Sequence, residues 1–287
     1  MIDTRPVYHA PTDISAAVEL LAASSTAIVI GGGTITMPRL IDGRWRPEYL
    51  VDTTALGLDR IHAEHDGTVN IGAAVTYSKL TARASAAPGL LGLVASGITG
   101  GPQIRNQATI GGAACYANPA SDMPAALVAL DARLTLRSHQ GIRTVAASDF
   151  FQAPFRTSAH RAELLTGITI PAGATADPFG YVKLKRSESS WPLAVCAARL
   201  PAPNRCTLVI GAATPTPITI DLALDTQIEH LEPAQTEGIR NHIVEIIDTL
   251  WADELGTAEY RRHIAGVAAT RALDQALRRA RAHGGDR

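Results

Sequence analysis

The sequence predicts an α+β chain in which strands and helices follow one another in mixed order. Three observations carry that prediction. Short apolar or β-branched runs are punctuated by glycine-rich turns, as where residues 27–30 (Ala-Ile-Val-Ile) run into Gly31-Gly32-Gly33-Thr34. Asp66-Gly67 sits between two alternating segments and has the chemistry of a hairpin turn. Three strand signals crowd between residues 181 and 211, and two helical stretches follow them, which is a segregated order.

Thr12 is the expected N-cap of a first helix, because Ile14, Ala17, Val18 and Leu21 then fall on one face. Residues 27–30 and 49–51 have the character of short buried strands, and 60–64 and 68–72 flank the hairpin turn. Helices are expected over 78–85, 89–98 and 123–130, and strands over 133–137 and 163–170. Residues 171–178 (Pro-Ala-Gly-Ala-Thr-Ala-Asp-Pro) mark the domain boundary, leaving 1–173 and 178–287 on either side. Beyond it come strands over 181–184, 193–199 and 207–211, then helices near 233–250 and 258–282. Thr257 caps the last helix, with Tyr260, Ile264, Val267 and Ala268 as its apolar stripe. Arg261, Arg262, Arg271, Arg278, Arg279 and Arg281 give it a basic side, either solvated or a subunit contact.

A net charge of −1 over 287 residues offers no basic field for nucleic acid, and 5% aromatics offers no base-stacking surface. The three cysteines are odd in number, form no C-x-x-C pair and suit a reducing compartment. They are too few for a four-cysteine iron–sulfur site. No basic segment followed by an apolar one opens the chain, and no apolar run is long enough to span a bilayer. A soluble, cytoplasmic protein without a membrane span is the expectation.

Two segments carry the functional signal. Gly31-Gly32-Gly33-Thr34 after a strand is either a structural turn or a diphosphate cradle. It is not G-x-G-x-x-G, and no βαβ unit with a ribose-binding acid is evident, so a Rossmann arrangement is not expected. Residues 103–124 combine Gln103, Arg105 and Asn106 with a Thr109-Ile110-Gly111-Gly112 turn and a loop ending in Ser121-Asp122. Successive N–H groups in such a turn suit an anion, and a carboxylate nearby suits sugar or polyol hydroxyls. The bland alternative is a long surface loop held by Asx turns, which is uncommon in compact domains without a function. Two glycine-rich turns together suggest a dinucleotide. Lys183 is the candidate for facing inward toward a cofactor, while Lys185 is expected to be a solvated charge on the outer face. His62 and His65 adjoin the hairpin turn with no third ligand nearby and are expected at the surface.

These motifs resemble the FAD-binding medium subunit of molybdenum hydroxylases of the xanthine dehydrogenase and carbon monoxide dehydrogenase type. The resemblance rests on residues 30–34 (I-G-G-G-T), 103–112 (Q-I-R-N-Q-A-T-I-G-G) and 119–124 (P-A-S-D-M-P). It continues through 163–166 (E-L-L-T), Lys183, 211–215 (G-A-A-T-P) and 260–265 (Y-R-R-H-I-A). It therefore covers nearly the whole chain in the family's order. It implies a two-part FAD domain of the vanillyl-alcohol-oxidase (PCMH-like) type, with parts near 1–55 and 56–173, then a smaller α/β C-terminal domain. FAD would be held by Gly31, Gly32, Gly33, Thr34, Ile35, Gln103, Asn106, Thr109, Ile110, Gly111, Gly112, Ser121, Asp122, Leu165 and Lys183. Within that set, Ile110, Leu165 and Lys183 are implied to lie near the flavin ring.

The resemblance also implies an oxidoreductase subunit whose flavin carries the chemistry. Its partners would be a molybdopterin-binding large subunit and a [2Fe–2S] small subunit, in a dimer of heterotrimers. Ala113 after T-I-G-G, Cys115-Tyr116, and Ser190-Trp191-Pro192 depart from the family pattern. A non-redox module of the same fold and a self-sufficient flavin oxidase are the alternatives.

Overall fold

The computed structural model describes residues 5–82, 87–225, 230–249 and 251–284, and three sheets organise them. The helix ends expected at 83–85 and at Leu250 lie outside the described residues. The first sheet is parallel, in the order β1 (Val7–His9), β3 (Tyr49–Asp52), β2 (Ile28–Ile30). Parallel neighbours need crossovers. α1 (Ile14–Ala23) and α2 (Thr36–Ile41) supply them, so βαβ units exist where none was expected. The six-residue α2 and the three-residue β1 are too short to show a period, which is why the sequence hid them. Asp13, not Thr12, caps α1, accepting from the Ala16 N–H at 2.9 Å. Ala17, Val18 and Leu21 pack with Val51, Leu56 and Leu164 in a small core of their own.

The second sheet is antiparallel, ordered β4 (Ile61–Ala63), β5 (Val69–Gly72), β10 (Leu164–Ile170), β6 (Arg133–Ser138), β7 (Gly141–Ala146). Gly67, at φ +88°, permits the tight turn between β4 and β5. Ile71, Ile168 and Leu134 stand side by side across β5, β10 and β6 and bury one face of the sheet. That face packs on α3 (Tyr77–Ala82), α4 (Gly89–Ser96), α6 (Ile110–Tyr116) and α7 (Met123–Ala129), while α5 (Gly101–Gln107) leans on α3. After α8 (Ala147–Phe150), β8 (Phe151–Ala153) and β9 (Arg156–Thr157) form a separate hairpin.

The third sheet is an antiparallel meander of β11 (Phe179–Lys185), β12 (Pro192–Ala202), β13 (Arg205–Gly211) and β14 (Ile218–Ala223). Strand alternation splits β12 and β13 between two cores. Val195, Ala197 and Val209 enter the core beneath α7, whereas Ala194, Cys196, Ala198, Leu208 and Ile210 face α10 (Pro233–Ile246) and α11 (Ala258–Gly284). Residues 171–178, which contain α9 (Ala172–Ala176), therefore do not interrupt the packing.

α11 carries Ile264, Ala265, Ala268, Ala269, Ala272, Leu273 and Ala276 inward. Tyr260, expected in this stripe, is exposed instead. Thr257 does cap the helix, accepting from the Tyr260 N–H at 3.3 Å. Its arginines do not share one basic side: Arg261 is fully buried, and Arg279 lies 4.4 Å over the Phe179 ring. The alanines bring the helix so close that a Cβ on Gly180 would lie 1.8 Å from the Ala272 carbonyl oxygen. Gly180→Ala is expected to cost about 3 kcal/mol by overpacking, read as a lowered Tm; wild-type melting would refute this contact.

Candidate cofactor site

Residues 103–124 are not the loop that their composition suggested. Gln103 to Gln107 complete α5, Thr109 is the N-cap of α6 with its Oγ1 accepting from the Gly112 N–H at 3.0 Å, and Asp122 precedes α7. The N–H groups of Ile110, Gly111 and Gly112 are committed inside the protein. Ile110 donates to Val75 O and Gly111 to Ala73 O, each at 2.9 Å. Gly111 is glycine because a Cβ would meet the Ala73 carbonyl oxygen at 2.6 Å, not because it turns the chain.

Gly31-Gly32-Gly33-Thr34 behaves differently. Among the described residues, no protein acceptor takes the N–H groups of Gly31, Gly32, Gly33, Thr34 or Ile35. Gly33 adopts φ +68°, so the chain folds into a concavity that concentrates these donors. The two glycine segments also touch. A Cβ on Gly32 would lie 1.7 Å from Gln107 O, and one on Gly31 would lie 2.9 Å from Thr109 Oγ1. Glycine is needed here for close approach of two backbones.

Their junction lines a cavity of about 560 Å³, inside the usual range for a cofactor site. Gly31, Gly32, Gly33, Thr34, Ile35, Thr109, Gly111, Gly112, Ser121, Asp122 and Leu165 all line it. Leu165 is aimed there by a bulge in β10 between Leu165 and Gly167. Four expected residues are absent from the walls. Gln103 and Asn106 are exposed, and Asn106 is bonded to the Ser78 hydroxyl, so Ile104 presents the inner face of α5 instead. Ile110 is sealed in the core, because the first turn of α6 points it inward. Lys183 reaches the site through Asp122: its Nζ lies 2.8 Å from Asp122 Oδ1 and donates to Gly97 O at 2.8 Å. Lys185, two residues on, would share the side of Lys183 in a regular strand, but the register shift between Leu184 and Lys185 breaks the alternation and it turns outward toward Glu188.

Asp122 is buried, and Tyr181 also donates to its Oδ1, at 2.5 Å. Burial, then the neighbouring Asp122, hold the Tyr181 hydroxyl well above its ordinary pKa, so it remains a donor. Tyr77 on the cavity wall is raised by the same two causes. Tyr181 was absent from the sequence-derived set, although it stands two residues before Lys183 on the same strand and hence on the same side. Trp45, Arg39 and Tyr116 form a second cluster the sequence did not predict. The Arg39 guanidinium lies 5.0 Å from the Trp45 ring and 5.4 Å from the Tyr116 ring, and donates to the Tyr116 hydroxyl at 2.8 Å. Trp45 and Tyr116 line the cavity, and no local pattern joins residues so far apart in sequence.

Glu163, also on the wall, is bound by Arg143 at 2.6 and 2.7 Å and by the His160 N–H at 2.7 Å. The Arg143 hydrogen bonds, against the opposing effect of burial, lower its pKa from the ordinary 4.5. A lowered carboxylate pKa stabilises the fold above its unfolded value and loses that contribution as pH falls through the folded value. Glu163→Gln is therefore expected to cost about 1 kcal/mol at pH 7, with the difference from wild type vanishing well below pH 4.5. Urea unfolding of both proteins at neutral and acid pH checks this; an equal deficit at both would exclude the ion pair as its source. All three cysteines are free, with Cys115 facing the cavity and Cys196 and Cys206 buried. His62 is exposed beside Glu64, and no group of metal-ligating side chains occurs among the described residues. No helix among them is long and apolar enough to cross a membrane.

Facing glycine segments, uncommitted N–H donors, a buried carboxylate and an extended cavity define a dinucleotide-binding domain of α+β type. Residues 2–173 match the family described as the FAD binding domain in molybdopterin dehydrogenase, and the chain belongs to that family. It is 34% identical to the carbon monoxide dehydrogenase medium chain of Afipia carboxidovorans, over 96% of this chain and 97% of that one. It is 27% identical to the xanthine dehydrogenase FAD-binding subunit of Escherichia coli O157:H7, over 94% and 95% of the two. Among solved structures it resembles a carbon monoxide dehydrogenase from Hydrogenophaga pseudoflava that lacks the Mo-pyranopterin moiety of the molybdenum cofactor. That match has a TM-score of 0.87 and 29% identity, and covers 97% of this chain and 99% of that one. The chain is thus an FAD-binding oxidoreductase subunit of molybdenum hydroxylase type.

Proposed function

We propose that this chain holds FAD along the cavity and relays electrons. The donor would be the [2Fe–2S] clusters of a small subunit supplied by a molybdopterin-binding large subunit, and the recipient an external acceptor. The observation that carries this reading is the run of uncommitted N–H groups from Gly31 to Ile35 at the junction with α6. Those donors and the concavity at Gly33 suit a diphosphate, whose charge they meet without a counter-ion. Asp122 Oδ1 is occupied by Tyr181 and Lys183, which leaves Oδ2 to accept from ribityl or ribose hydroxyls, with Ser121 beside it.

Bound FAD supplies the exchange between one-electron and two-electron transfer; the protein binds, orients and tunes it. In this role Leu165 and Trp191 would provide apolar contact for the ring system, and Lys183 would neutralise Asp122 from behind the cavity wall. Residues 1–173 then form the FAD-binding domain and 178–287 the C-terminal domain, and the complex is a cytoplasmic dimer of heterotrimers. The carboxylates on the cavity walls, Asp122 and Glu163, are already paired with Lys183 and Arg143, which agrees with chemistry carried by the cofactor rather than by side chains. Purified protein is expected to be yellow and to release FAD on denaturation. A colourless preparation that FAD does not reconstitute would overturn the proposal. Bleaching of the isolated subunit by an organic substrate, with no partner present, would favour a self-sufficient oxidase instead.

A further inference from the structure

Among the described residues Arg261, in the first turn of α11, is the largest side chain with no exposed surface. Its Nη1 donates to the carbonyl oxygens of Ala212 at 2.6 Å, Leu193 at 3.1 Å and Pro192 at 3.3 Å. Nε reaches Gly256 O at 3.4 Å, and Nη2 pairs with Asp253. A buried cation costs stability unless its geometry is excellent, and the positions that follow on this face of α11 are filled by alanine and isoleucine. The planar fork is therefore spent on fixing backbone, for which lysine is a poor substitute.

The backbone it fixes leads to the cofactor cavity by two routes. Pro192 and Leu193 immediately follow Trp191, which lines the cavity. Ala212 is held at φ +62°, and its N–H donates to Pro119 O at 3.0 Å, two residues before Ser121 and three before Asp122. We propose that Arg261 is a positioning residue for the cofactor, setting both Trp191 and the 119–122 loop from within the second core. This rests on the reading of the cavity as the FAD site. Arg199 provides the matched contrast: it is likewise buried, donates to Ala129 O at 2.7 Å and pairs with Asp131 and Asp177, none of which lines the cavity.

The test uses the full chain, with FAD affinity from titration of apoprotein, the visible circular dichroism of bound flavin, and apoprotein Tm as readouts. Arg261→Lys is expected to weaken FAD binding roughly tenfold, the scale on which supporting residues act at other bound groups, and to alter the flavin dichroism. Arg199→Lys, at a comparable loss of Tm, is expected to leave affinity within about twofold and the dichroism unchanged. Asp253→Asn, which loosens the guanidinium without removing it, is expected to shift affinity in the same direction as Arg261→Lys, and decides the matter if Arg261→Lys does not fold. Lower Tm with wild-type affinity and dichroism in the Arg261 and Asp253 variants would overturn the inference, as would an equal affinity loss in Arg199→Lys. Wild-type protein that does not bind FAD would instead sink the reading of the cavity itself.

Discussion

Gly32→Ala is expected to abolish flavin retention and to lower stability by about 3 kcal/mol, the upper end for overpacking. The added Cβ would lie 1.7 Å from Gln107 O, 2.4 Å from Gln107 C and 2.9 Å from Ala108 N, all backbone atoms. That backbone has little room to yield. The Ala108 N–H donates to Ile104 O at 2.8 Å, and Ala108 O accepts from the Tyr77 N–H at 3.1 Å. The two glycine segments must therefore part, which moves the Gly31–Ile35 donors away from α6 and opens the cavity at its junction. The flavin-to-protein ratio and thermal unfolding read the two effects separately. Gly173→Ala is the control, because nothing lies within 4 Å of a Cβ there and alanine favours the helix. Wild-type flavin content in Gly32→Ala would show that the contact is not part of the cradle.

Lys183→Met is expected to cost about 3–5 kcal/mol, the scale for removing one partner of a buried pair. The Lys183 and Asp122 side chains are only 9% and 4% exposed. Without the ammonium, the Asp122 carboxylate keeps a single donor, Tyr181, and little water. Asp122→Asn in the Lys183→Met background removes the stranded charge and is expected to recover most of the loss. Denaturant unfolding of the four proteins forms a double-mutant cycle; strictly additive effects would mean that the two residues do not act as a pair. Lys185→Met, whose partner Glu188 is almost fully exposed, is expected to change stability by no more than about 0.5 kcal/mol.

Much of the architecture was legible because it is written in local periods. Residues 27–30 announce β2, Asp66-Gly67 the hairpin, and the apolar spacing at Ala17, Val18 and Leu21 the buried face of α1. β14 was legible and missed: Ile218, Ile220 and Leu222 alternate with polar residues, the signature of a half-buried strand. The helices between 101 and 116 were not legible, because seven-residue stretches of small and polar side chains carry no clear period. Their helicity follows from the Thr109 cap and from the burial of Ile110 and Ala114. Arg261 was misjudged for a related reason. Six arginines on one helix suggest a solvated side, and only the neighbouring carbonyls show that one of them is a buried hub.

By itself the sequence determined which residue types carry the site: two glycine-rich segments, an aspartate after a serine, and a lysine on a strand. Their order was sufficient to suggest a dinucleotide and to resemble the family to which the chain belongs. Only the tertiary structure decided what each does. Gly31–Ile35 keeps free donors while the Ile110, Gly111 and Gly112 N–H groups are already satisfied, Asp122 is paired with Lys183, and Gln103, Asn106 and Ile110 face elsewhere. The physical reason is that a backbone donor or a buried charge acquires its role from the partners it lacks or finds. Those partners, Gln107 against Gly32 or Tyr181 against Asp122, are contributed by distant parts of the chain that only folding brings together.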